Sequence, residues 1–210
     1  MNFNQVINGR RAVNFFDTKK DVPESLVRQA IDMAAKTPSS FNLQPWSLIE
    51  LRKKEDKLRL QKLAMDQPKV SEAPVTFIVL ADRRGWADEN PFVEKNFQEM
   101  IKAGSATEDK REWFKGARHK LYGGNNETQL AFACKNTGFF AMSLMLAAKS
   151  LGLDTHPMDG FDHEGVRKEF RIPDHYWIPL LISMGYFDTS KTLVDPKWRK
   201  TADEILVRFE

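Results

Sequence analysis

The sequence predicts one domain in which helices and strands share a single core, and three observations lead there. The 210-residue chain is 41% hydrophobic and 11% aromatic, enough apolar material for one sizeable core. Segments with helical periodicity alternate along it with short apolar runs of strand length. Two of those runs, 73–82 and 176–188, are apolar on both faces, so they belong inside a layered fold rather than on a solvated sheet face.

Each element has its own justification. Residues 2–23, NFNQVINGRRAVNFFDTKKDVP, form a short amphipathic start that ends in proline. Pro23 at the first helical position, with Glu24 beside it, opens a helix over 24–37, where Leu26, Val27, Ala30, Ile31 and Ala34 recur at helical spacing. The loop TPSSFNLQPW, 37–46, is dense in hydrogen-bonding side chains and short of charge. WSLIELRKK, 46–54, alternates as a strand does, and 55–66 reads as helix. APVTFIVLAD, 73–82, has no charge before Asp82 and predicts a strand covered on both faces.

Residues 83–126 are charged yet carry Trp86, Phe92, Phe97, Trp113 and Phe114, which predicts a helical excursion, or lid, outside the sheet. The most apolar helix is expected over 127–153, where Ala131, Ala133, Gly138, Ala141 and Ala147 let another backbone come close. A buried strand over 176–188 ends at Gly185. After a long connection carrying Pro196, Ile205, Val207 and Phe209 alternate with Glu204, Leu206 and Arg208, the pattern of a half-buried strand. Such a strand on an arm over 189–210 needs a sheet edge, which another subunit is able to supply.

Composition narrows the function classes. Lys and Arg number 32 against 29 Asp and Glu, a net charge of +3 spread along the chain, so bulk electrostatics would not drive nucleic-acid binding. The single cysteine, Cys134, has no intramolecular partner and no leader pattern is visible, which leads us to expect the cytoplasm. No uninterrupted apolar run approaches the roughly 20 residues of a membrane span, so no membrane partner is expected. Neither G-x-G-x-x-G, nor a P-loop, nor G-x-S-x-G occurs. His119, His156, His163 and His175 lack metal-ligand spacing, and no metal is expected. Cys134 sits among apolar helical neighbours, as an inert thiol does.

Anion-binding and planar-ligand features remain. GRR, 9–11, places two guanidiniums just after a short helix, and KWRK, 197–200, is a second basic cluster. Forked guanidinium donors suit phosphate, although a solvated pair of arginines and an exposed basic loop account for the two stretches as readily. The loop 37–46 offers hydroxyls and amides to the edge of a heterocycle; a capped helix end and a turn would use the same residues.

Taken in order, RRAVNFF, TPSSFNLQPW, HPMDGF, ISMGYF and KWRK resemble the FMN-dependent nitroreductase family over nearly the whole chain. The resemblance implies an α+β fold with a central, mostly antiparallel sheet wrapped by helices, in a domain-exchanged homodimer with two FMN sites at the interface. It puts Arg10 and Arg11 at the flavin phosphate, joined by Lys197 and Arg199. Ser39, Ser40 and Asn42 would come from the partner subunit to the flavin ring, with Gln44 nearby. Pro157, Met158, Asp159 and Gly160 match a family turn whose main-chain N–H groups meet the flavin N5 and O4. Two departures stand out: Ala12 replaces a frequent serine, and Asn14 replaces a frequent cation beside the flavin N1 and O2. Lys69 is the candidate to supply that cation, though an exposed loop lysine would look the same.

The implied activity is NAD(P)H-dependent reduction of nitroaromatics, quinones or related small acceptors, with FMN carrying the hydride and no side chain in a catalytic role. Phe41, Trp113 and Phe114 are candidates for the substrate pocket, while plain packing serves the last two equally. A specialised flavoenzyme of the same fold, such as a reductive dehalogenase, and a flavin-binding sensor without turnover are the alternatives.

Overall fold

The computed structural model describes residues 1–209. In chain order it contains α1 (Phe3–Gly9), α2 (Glu24–Ala34), β1 (Trp46–Leu51), α3 (Lys54–Leu63), α4 (Pro68–Glu72), β2 (Val75–Asp82), α5 (Pro91–Lys102), α6 (Arg111–Tyr122), α7 (Asn126–Ser150), β3 (Asp154–Met158), α8 (His163–Glu169), β4 (Tyr176–Gly185) and α9 (Ala202–Ile205). The four strands form one sheet in the order β1-β2-β4-β3, with every neighbouring pair antiparallel. This is the α+β class expected, with Pro23 capping α2 from just outside it rather than occupying its first position.

β2 is central, and it explains the layers. Val75, Phe77 and Val79 point to one face and pack with α2 and α7 through Val27, Ala30, Phe140 and Leu144. Ile78 and Leu80 point to the other and meet Leu60 of α3, Val166 of α8 and Leu181 of β4. A strand whose alternate residues all meet apolar helices carries no polar side, so a continuous apolar run is what such a strand requires. The one polar side chain inside the strand, Thr76, is satisfied by Val70 O at 2.9 Å and Ser183 Oγ at 3.1 Å.

Helix α7 is long and apolar enough to cross a bilayer, which the search for an uninterrupted apolar run did not anticipate. Half of its most apolar stretch is buried inside the fold, as in a core helix. A third cluster joins α5, α6 and the start of α7 through Phe97, Phe114, Tyr122 and Phe132, so residues 91–122 fold as two helices with a core of their own. Buried Lys57 ties α3 to the exit of α4, its ammonium donating to the carbonyls of Ala73 and Pro74.

Two expectations are corrected. The apolar helix ends at Ser150, and Asp154–Met158 form β3, so Pro157 and Met158 belong to a strand and the family turn begins only at Asp159. Pro157 is tolerated because β3 is an edge strand whose only neighbour in the sheet is β4, and the N-terminal segment bridges its outer side at Thr155, not at Pro157. The terminal strand is not formed within the chain. Thr201 and Glu204 instead close a capping box that starts α9, and the backbone beyond it is exposed through Phe209; Glu210 lies outside the described residues. The edge expected for a terminal strand is another subunit's.

The N-terminal segment is strapped onto β3. Ala12 bridges Thr155 in parallel, Val13 N donates to Thr155 O at 3.2 Å, and His156 Nδ1 donates to Val13 O at 2.8 Å. Burial, and then the nearby Lys69 ammonium, push the His156 imidazole down to about 4.

Two outcomes follow. Leu144 is fully buried between α7 and the sheet, so Leu144→Ala should lower unfolding free energy by about 2–5 kcal/mol in urea titrations. His156 is neutral in the fold while the unfolded chain accepts a proton below its ordinary value of about 6.5, so stability should fall as pH drops through the window from about 6.5 to about 4. His156→Gln keeps a donor for Val13 O and should flatten the decline in that window, read as urea midpoints across it; an unchanged decline would mean that the imidazole titrates normally.

Candidate functional site

The residues singled out in the sequence gather into two groups. The first is built on the strap. Arg10 caps the end of α1, and Arg11 donates to Val194 O, bringing the C-terminal arm against the N-terminal segment. Lys69, in the short helix α4, reaches Asn14 and donates to its Oδ1 at 3.1 Å. Burial pushes the Lys69 ammonium's pKa down. On the strap's other side lie Pro157, Met158, Asp159 and Gly160. Met158 turns its side chain into the core. Gln67 donates to Gly160 O at 2.9 Å, and a Cβ on Gly160 would stand 3.2 Å from Met65 Sδ. Lys197 is close enough to His156 for its charge to help hold the imidazole neutral. Arg199 is exposed and donates only to the nearby Lys197 and Trp198 carbonyls.

This group has unspent binding capacity. Among the described residues, none of Arg10, Arg11, Lys69, Lys197 and Arg199 forms an ion pair, whereas Arg28, Arg52, Arg59, Arg111 and Arg118 all do. The N–H groups of Asp159 and Gly160 donate to no acceptor among the described residues. Thr155 Oγ1, beside Ala12 on the strap, is buried without a partner.

The second group is the loop after α2. Phe41, Asn42 and Gln44 have φ of 51°, 54° and 47°, in the left-handed region that bulky residues rarely enter. Each costs on the order of 1–3 kcal/mol unless its surroundings hold it. Here they do: Ser40 N donates to Asn136 Oδ1 and Gln44 N to Ser39 Oγ, both at 3.0 Å, while Thr137 Oγ1 donates to Pro45 O at 3.3 Å. Asn96 of α5 holds both Phe41 O and the Asn42 amide. The Phe41 ring sits 5.8 Å from Phe114 and 6.4 Å from Trp113. Phe114 is buried while Trp113 is 62% exposed, so only the indole is a free surface.

Sequence reading missed Asn96, Asn136 and the His156 strap. Asn136 carried a signal, being a polar residue four positions from both Phe132 and Phe140 on the buried face of α7. Volume alone points elsewhere: a cleft of about 870 Å³ lies between Gln44, Trp46, Asp82, His175 and Tyr176 and shares only Gln44 with the predicted set. Burial pushes both the Asp82 carboxyl and the Tyr176 hydroxyl up there. Half-buried Cys134 has its thiol pushed up by burial, as an unreactive cysteine does.

No hydrogen bond or ring contact among the described residues joins the two groups. Comparison with known proteins identifies the fold that carries them. The Nitroreductase family model matches residues 7–186. A protein of Thermus thermophilus named NADH dehydrogenase is 33% identical over 178 residues, covering 84% of this chain and 82% of that one. YodC of Bacillus subtilis, named as an NAD(P)H nitroreductase, is 31% identical over 182 residues, covering 86% and 87%. Among solved structures, the nitroreductase YdfN of B. subtilis superposes with a TM-score of 0.90 at 23% identity, covering 99% of this chain and 98% of its own. A nitroreductase of Exiguobacterium sibiricum, solved in complex with FMN, gives 0.85 at 24% identity, covering 98% and 96%. The chain therefore belongs to the nitroreductase family, and it is an oxidoreductase.

Proposed function

We propose that this protein is an FMN-dependent oxidoreductase that uses NAD(P)H to reduce nitroaromatics, quinones or related small acceptors, working as a homodimer in the cytoplasm. The observation that carries the reading is the set of five cations, from α1, α4 and the C-terminal arm, that lack carboxylate partners. A dianionic phosphate is the group such a set fits, because it would neutralise charge that the chain leaves uncompensated. The free N–H groups of Asp159 and Gly160 and the Lys69 ammonium fit the polar edge of a flavin ring. The FMN of the E. sibiricum relative and the NAD(P)H in the name of YodC support the same cofactors here.

When bound, FMN would accept hydride from the nicotinamide and pass it to the acceptor. The chain's own work is binding and tuning. Arg10, Arg11, Lys197 and Arg199 would hold the phosphate. Asn14 would aim Lys69 by accepting its hydrogen bond, so the cation missing at position 14 is supplied from α4 instead. Ser39, Ser40, Asn42 and Gln44 would reach the ring from the other subunit, since no hydrogen bond or ring contact joins them to the first group within one chain. Phe41 and Trp113 would border the acceptor.

Exposed apolar surface supports the dimer. Phe3, Ile7, Met33, Phe139 and Met142 lie exposed on α1, α2 and α7, and Trp198, Leu206, Val207 and Phe209 on the arm. A soluble chain seldom leaves this much apolar surface uncovered.

The test has a binding arm and a kinetic arm. Arg10→Ala should weaken FMN by roughly ten- to a hundredfold, the worth of one charge-assisted hydrogen bond, and leave riboflavin unchanged. Riboflavin falling in parallel would assign Arg10 to the fold. Wild-type turnover with a quinone should give parallel double-reciprocal lines, because the nicotinamide and the acceptor would take turns in one pocket; intersecting lines would refute the shared pocket. Separately, Lys69→Met should lower the midpoint potential of bound FMN, by about 30 mV for each 1.4 kcal/mol of selective stabilisation lost. An unchanged potential would remove Lys69 from the ring.

A further inference from the structure

We propose that Asn96, a side chain to which neither the family resemblance nor the comparisons give a role, is a positioning residue that bridges the flavin loop to α5, so that the loop and the aromatic face of α5 and α6 act as one unit; this rests on the FMN reading above.

The geometry is specific. Asn96 is buried on α5, and both ends of its amide are committed to the loop: Nδ2 donates to Phe41 O at 2.8 Å, and Oδ1 accepts from Asn42 Nδ2 at 2.8 Å. The two tethered residues are consecutive and both left-handed, the conformation least able to persist unaided. On its outer side the loop is pinned by Asn136 and Thr137 of α7, a helix of the main core. Asn96 is the matching pin from the excursion. The Phe41 ring then lies against Phe114, Trp113 and Tyr122 of α6, which makes the contact continuous.

One consequence is chemical. A buried asparagine that serves only the core needs any two partners, but this one, besides a donation from Nδ2 to Met100 Sδ at 3.8 Å, binds both the backbone and a side chain of a single turn. Phe41 and Asn42 would therefore meet the flavin ring and the acceptor in an orientation set by α5. A shift in the α5–α6 pair would be transmitted to the ring edge through two hydrogen bonds, without movement of the phosphate clamp.

Titration of the apo-dimer with FMN and with riboflavin, followed by flavin fluorescence, tests the bridge in Asn42→Ala, Asn96→Ala and the double variant. Asn96→Ala should weaken both flavins alike by about tenfold, since the loop addresses the ring and not the phosphate. The double variant should lose at least about threefold less than the product of the single losses, because both substitutions break one bridge. Thr76→Val is the control, for Thr76 is as buried and as fully bonded but far from the loop. It should lower the melting temperature and leave flavin affinity alone. Should Asn96→Ala not fold, the isosteric Asn96→Asp, which sets a carboxylate against Phe41 O, should show the same loss. Multiplicative single losses, wild-type affinity in Asn96→Ala or Asn96→Asp, or an equal flavin loss in Thr76→Val would each overturn the bridge. Wild-type protein that takes up no FMN would overturn the flavin reading with it.

Discussion

Everything in this molecule depends on β2 having no solvated side. Because Phe77 and Val79 meet α2 and α7 while Ile78 and Leu80 meet α3 and α8, the sheet is a middle layer, and its hydrogen-bonded edges are confined to β1 and β3. Binding surface must then come from what attaches at those edges. At β3 it is the strap of Ala12 and Val13 with His156, which carries Arg11 and Asn14 into place. At β1 it is the loop that leads into Trp46, pinned by Asn96, Asn136 and Thr137.

The two attachments are held differently, and the difference is physical. The strap is held by one backbone bridge, one neutral imidazole and the burial of Val13 and Phe16. The loop uses left-handed backbone at residues other than glycine, which would be unfavourable without side-chain amides reaching in from two helices. Arg11 and Asn14 therefore flank a backbone bridge, whereas Asn42 and Gln44 lie on strained backbone that several side chains hold. A site needing a loosely specified anion clamp and a tightly specified planar edge would divide its support in this way.

Much of this was legible from residues. The charge-free run ending at Asp82 gave a strand buried on both faces, and the loop's amides and hydroxyls marked it as more than a connection. The missing cation at Asn14 pointed to Lys69, and the 3.1 Å contact between them now gives that pairing a geometry. What escaped was decided by pairing rather than propensity. Asp154–Met158 carries a histidine and a proline and reads as a turn, yet β4 is present to pair with it. Ile205 to Phe209 alternates as a strand, yet a single chain pairs it with no other strand, and Thr201 and Glu204 close a capping box just ahead of it. Asn96 escaped because a lone asparagine in a charged helix looks solvated until its neighbours are known.

The separation of the two groups has a final implication. Arg10, Arg11, Lys69, Lys197 and Arg199 form no ion pair among the described residues, and a bound anion would neutralise that charge. The left-handed loop is held by Asn96, Asn136 and Thr137. Both features lie on one chain, but no hydrogen bond or ring contact among its described residues joins them. A second copy, covering the apolar faces of α1, α2 and α7, would bring one subunit's loop to the other's cations. On that account, dimer formation and cofactor binding stabilise each other, and loss of either should weaken the other by mass action.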